Sequence, residues 1–287
     1  MDWALAAARF AHFVSLMSLF GALVYASALS PLGLAPKLTP YLRKTSAPLA
    51  ALALASALAW GLLVTRAMLG GELDLDGLAS VLTDTSFGVV WLVRLPLLTA
   101  LLALALFAGQ RWRTLAVAAG LSLASLALVG HAVMQSGAPG LLHRANHAVH
   151  LLLTGGWLGA LPPFLVSLRA YALNSHRSEA LSAMMRFSRV GHYAVAGIFL
   201  TGALDVALTT QAVPWPPSTP YRLGLDSKIL VFAAMTALAL FNRYALAPRI
   251  ARSAWARHGL AAGAAAEIAL AACAVALVSV FATLDPA

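Results

Sequence analysis

Long apolar runs alternate with short polar connectors along the whole chain. Their length matches the ~20 apolar residues that carry a helix across a bilayer. The pattern predicts eight spans, near residues 4–29, 47–69, 88–108, 114–134, 141–161, 189–210, 226–247 and 263–283. Pro48 suits the first turn of the second span, Pro139-Gly140 separates the fourth from the fifth, and Pro162-Pro163 stops the fifth. The stretch TTQAVPWPPSTPYRLG is too polar and broken to span, and reads as a loop. No polar linker marks a second domain. The expected fold class is all-α, a polytopic membrane helical bundle, with residues 1–287 forming a single transmembrane domain.

Composition agrees. The chain is 61% hydrophobic and 10% charged, with a mean hydropathy of +0.84, against about 25% charged residues in a soluble domain. The net charge of +9 raises nucleic acid as a partner. The basic residues, however, sit in short connectors between apolar runs, so the partner expected is membrane lipid and not nucleic acid. Lys37, Arg43 and Lys44, then Arg111 and Arg113, then Arg169, Arg177, Arg186 and Arg189, then Arg243, Arg249, Arg252 and Arg257 fall in alternate connectors. The connector between spans two and three is acidic, with Glu72, Asp74, Asp76 and Asp84. This bias puts the basic connectors in the cytoplasm and both termini on the outer side, which in a Gram-negative cell is the periplasm. The first apolar stretch lacks a preceding basic residue and is too long for a signal-peptide core of about 7–15 residues, so it reads as a retained span. The lone Cys273 forms no intrachain disulfide and reads as a small buried residue.

Histidines stand out against this background. GLLHRANHAVHLLLTGGWLGALPPF puts His143, His147 and His150 in one span, at i, i+4 and i+7 on a single helical face. At 1.5 Å per residue His150 lies about 10 Å deeper than His143. His131 and Met134 fall at the outer end of the fourth span, and His12 falls in the first, at a depth near that of His150. Together they predict one outer-leaflet cavity lined by imidazole and thioether. Imidazole is a common metal ligand, and soft methionine beside imidazole suits copper, as Cu(I) or Cu(II). Met17, His192, Asp205 and Glu267 are deeper polar or soft side chains that could mark a pathway across the bundle.

These residues carry a resemblance. The block GHAVMQSGAPGLLHRANHAVHLLLTGGWLGALPPFLVSL is similar to the copper resistance D family (CopD/PcoD) of bacterial inner-membrane proteins. RFSRVGHYAVAGIFLTGALDVAL and YRLGLDSKILVFAAMTALALFNRYALAPRI resemble two further family blocks. The resemblance implies copper handling across the inner membrane, from periplasm toward cytoplasm, beside a separate CopC-like periplasmic copper-binding partner. The family's histidines carry over to His12, His131, His143, His147 and His150.

No P-loop, flavin or nicotinamide fingerprint is visible, so the chain is expected not to be an enzyme. The alternative is a membrane electron carrier resembling cytochrome b. His12 with His147 or His150 would ligate haem b, and Arg9, Arg66 or Arg144 would meet its propionates.

Overall fold

The computed structural model describes residues 2–130, 135–174, 176–210 and 219–284. Among them every regular element is helical: α1 (Trp3–Val24), α2 (Ala35–Met68), α3 (Leu75–Asp84), α4 (Ser86–Phe107), α5 (Trp112–Ala124), α6 (Gly137–Leu158), α7 (Leu161–Ala172), α8 (Arg177–Thr210), α9 (Pro220–Phe241) and α10 (Ala254–Phe281). Two π-helical segments extend α1 (Tyr25–Leu29) and α9 (Asn242–Leu246). Seven helical stretches are long and apolar enough to cross a membrane, and an eighth apolar stretch, Trp112–Leu128, is shorter. The protein is a polytopic helical bundle. Phe199, Leu200 and Leu230, each more than 60% exposed, are apolar side chains on its hydrocarbon-facing surface.

Several boundaries differ from the sequence reading. α2 starts at Ala35, twelve residues before residue 47, because Pro36 supplies the first turn, and Pro40 and Pro48 are absorbed within the helix. Pro162-Pro163 open α7 instead of ending α6, which stops at Leu158. Proline lacks only an N–H that a first turn leaves unpaired anyway. The run expected over 114–134 is helical to Leu128; its last turn tightens to 3₁₀ (Ser125–Leu128), and Gly130 follows at φ +78°. There Ser125 donates to the Ser122 carbonyl, competing with the regular helical ladder.

α1 is the hub, packed against α2, α5, α6 and α10. Its closest approach is to α6. A Cβ on Gly21 would collide with the Gly155 carbonyl and the Gly159 backbone, and one on Gly159 would collide with the Met17 carbonyl. The Gly155-x-x-x-Gly159 spacing is the small-residue seam that lets membrane helices touch backbone to backbone. Met17 is buried in this crossing. On the far side α8 packs on α6 and α7, and α9 packs on α10. Two cavities adjoin α8 and α9, one beside the α6 histidines, walled also by α1, α2 and α10, and one at the opposite end.

Candidate metal site

α6 and α8 run antiparallel, which sets the α6 histidines against a polar row on α8. His147 Nδ1 lies 2.8 Å from Asp205 Oδ2. His150 Nδ1 lies 2.9 Å from Thr201 Oγ1, whose own proton goes to the Gly197 carbonyl at 2.7 Å. His143 Nδ1 lies 2.7 Å from Gln135 Oε1, and the same amide donates to the Leu208 carbonyl at 2.6 Å. Asn146 donates to Asp205 Oδ1 at 2.6 Å and to the Thr201 carbonyl at 2.8 Å.

This network fixes the tautomers. Carboxylate, amide oxygen and a hydroxyl already committed as a donor can only accept. All three imidazoles therefore carry the proton on Nδ1 and keep the Nε2 lone pair. Metal-ligating histidines are held in just this way, with the other ring N–H donated to an oxygen behind it. The His147 and His150 rings lie 6.3 Å apart, with their planes 12° from parallel. His143 Nε2 faces Asp205 Oδ1 at 3.9 Å. Two lone-pair groups facing at that distance are suited to sharing a cation, since metal–nitrogen and metal–oxygen bonds are each about 2.0–2.2 Å. Gly202 gives His150 room, because even a Cβ there would stand 3.3 Å from its Cε1.

A cavity of about 160 Å³ adjoins His143, His147 and Asp205, and Arg9 and Lys228 also line it. Among the described residues, no three His, Cys, Asp or Glu side chains stand together as a ready metal-binding group. His131 and Met134 lie outside the described residues.

His12 is not brought to this group. Its Nδ1 reaches the Ala53 carbonyl at 2.9 Å and Ser56 Oγ at 3.2 Å, so Nδ1 carries the proton. Its Nε2 then accepts from Arg94 Nη2 at 2.6 Å, which uses the lone pair a metal would need. Arg94 is 1% exposed, and it also donates to Ser125 Oγ and stands over the Trp91 ring. His12 is absent from the lining of the cavity beside His147, although its neighbours Arg9, Phe13 and Trp60 reach it, and its own Nε2 is taken by Arg94. With its Nε2 held by Arg94, His12 has no lone pair left for an axial bond of the cytochrome reading. The cavity beside His147 is also smaller than the roughly 300–1,000 Å³ of pockets for organic ligands.

Arg94 and Lys228 escaped the reading of the pattern, although each is an ionisable group inside a span, which is signal enough. Gln135, Asn146 and Thr201 carry no such signal in sequence. Asp205 moves from the pathway to the centre of the site, while His192 and Glu267 line the distant cavity. Arg94→Met should strand the buried acceptor on His12, at about 1–3 kcal/mol. It is expected to lower the unfolding temperature in detergent while leaving copper stoichiometry unchanged. Lost copper at an unchanged unfolding temperature would return His12 to the ligand set.

Residues 1–141 match the family model described as copper resistance protein D-like, N-terminal domain, and residues 181–281 match that of copper resistance protein D. The inner membrane protein YebZ of Escherichia coli (strain K12) is 33% identical over 258 residues, covering 85% of this chain and 84% of that protein. Copper resistance protein D of Pseudomonas syringae pv. tomato is 29% identical over 204 residues, covering 67% of this chain and 65% of that protein. No solved structure matches the chain.

Proposed function

The chain belongs to the copper resistance D family, and on that premise we propose that it binds copper and moves it from the periplasm toward the cytoplasm. It is a multi-pass protein of the inner membrane. In this reading both termini face the periplasm, following the Lys/Arg bias of the connectors. The N-terminal end of α6 then opens toward the periplasm, where a separate CopC-like protein could deliver the ion. Copper is cargo, and the protein acts without catalysis.

The observation that carries the reading is the common state of His143, His147 and His150, each with Nδ1–H given to an oxygen and Nε2 left to bind. Asp205 supplies a carboxylate within reach of the same space. His131 and Met134 complete the proposed donor set, with thioether favouring Cu(I) and imidazole serving both oxidation states. Arg9 and Lys228 at the cavity wall oppose a trapped cation. A transport site must bind well enough to load and weakly enough to release.

Purified protein in vesicles with a copper-responsive dye inside tests this. Uptake should depend on the protein. In Asp205→Asn the copper concentration for half-maximal uptake should rise about 10–100-fold, the usual effect of losing a carboxylate that orients a ligating histidine. Uptake no faster than in protein-free vesicles would overturn transport.

A further inference from the structure

The larger cavity, about 650 Å³, lies at the end of the bundle away from the α6 histidines. Along α8 from Asp205 to His192, at 1.5 Å per residue, the separation is about 20 Å. The cavity is mostly apolar, with Trp157, Phe164 and Phe187 in its wall. It sits where α8, packed on α6 and α7, parts from α9, packed on α10, and its exposed apolar lining residues Met185 and Leu240 open it to the outside of the bundle. Its volume falls within the roughly 300–1,000 Å³ typical of organic-ligand pockets and far exceeds what a bare ion needs.

Polar groups enter this space from two sides. The π-helical segment Asn242–Leu246 brings Asn242 and Tyr244 to the cavity together. Such segments are rare and concentrate at functional sites. Tyr244 Oη lies 3.0 Å from His192 Nε2, and His192 Nδ1 lies 2.7 Å from the Ser188 carbonyl. His192 therefore donates through Nδ1 and accepts the tyrosine proton at Nε2, which leaves the Tyr244 oxygen as an acceptor. From the same segment Asn242 donates to Glu267 Oε1 on α10 at 2.7 Å. Glu267 is 4% exposed, and its carboxyl group has no ion pair among the described residues. Asn242 Oδ1 is buried with no hydrogen-bond partner among them. Only a glycine at 263 admits this amide, since a Cβ there would collide with it.

We propose that this cavity binds a hydroquinone-class ligand from the membrane: an aromatic ring with hydroxyl donors at two edges and an apolar tail. The aromatic wall takes the ring, the mouth passes the tail to the bilayer, and Tyr244 and Glu267 each accept a hydrogen bond from one of the two hydroxyls. A lipid acyl chain would leave the carboxyl group facing hydrocarbon, which is costly for a polar group.

The test is titration of the full-length detergent-solubilised protein with a short-tailed benzoquinol kept reduced under argon, and separately with its oxidised form. The reduced form should bind about tenfold or more tightly than the oxidised one, since one unmatched hydrogen bond is worth about a factor of ten. Gly191→Trp fills the cavity from a position with open space around its Cβ. It should abolish quinol binding and leave copper binding as in wild type. Equal affinity for both forms, quinol binding unchanged in Gly191→Trp, or a cavity filled only by co-purified phospholipid would overturn the proposal. A copper ion lost on Glu267→Gln, with no quinol bound by wild type, would make it a metal site instead.

Discussion

Replacing His147 and His150 together with alanine is expected to remove tight copper binding while leaving the bundle folded. The pair contributes two of the three free Nε2 atoms on α6, so among the described donors only His143 and Asp205 would remain. The loss should exceed the about 10–100-fold typical of removing one outer-sphere partner. Folding should survive because the partners keep other bonds. Thr201 still donates to the Gly197 carbonyl, and Asp205 still accepts from Asn146. Copper titration with an unfolding curve on the same sample checks both halves. Unchanged binding in a folded variant would end the site assignment.

The second large effect is structural. Gly159→Val should leave little folded protein, because the new side chain lands on the Met17 carbonyl at the α1–α6 crossing. Neither side can give, since both contacts are backbone. Overpacking of this kind commonly costs about 1–3 kcal/mol and more where nothing relaxes. The neighbour provides a control. A Cβ on Gly156 would meet only the Phe20 ring, at 3.7 Å, so Gly156→Ala should behave as wild type. Size-exclusion profiles and unfolding temperatures of the two variants make the comparison. A monodisperse, wild-type-stable Gly159→Val would show that the crossing is looser than the geometry requires.

The two expectations connect. The α6 helix that carries the histidines on its α8 side carries Gly155 and Gly159 on its α1 side. Losing the seam would therefore move the ligands as well. Copper binding by any glycine variant has meaning only beside its unfolding curve.

Much of this was legible in the sequence. The apolar runs marked the spanning stretches, and the i, i+4, i+7 spacing placed three histidines on one face. Helical periodicity is a local property, so a single sequence carries it. The partners of that face were not legible, because they depend on which helix lies opposite and in what register. Asp205 could be seen as an intramembrane charge but not as the acceptor for His147. Gln135 and Thr201 are ordinary residues until the antiparallel pairing of α6 and α8 sets them behind imidazoles. His12 shows the same limit. Its depth was readable, but its azimuth around the bundle was not, and Arg94 closes off the lone pair that made it a candidate. Proline does not mark the boundaries its position suggests: Pro48 lies within α2, and Pro162-Pro163 start a helix. In a bilayer, neighbouring helices and local adjustment tolerate such residues.

The central claim is that the α6 histidines hold copper. The most direct test is one sample of wild-type protein purified in mild detergent, measured for copper content after loading and for its absorption spectrum. The account predicts about one or two equivalents of retained copper, as a donor set of this size allows, and no Soret band. A Soret band that shifts on reduction, with no copper held, would contradict it and make the histidines haem ligands.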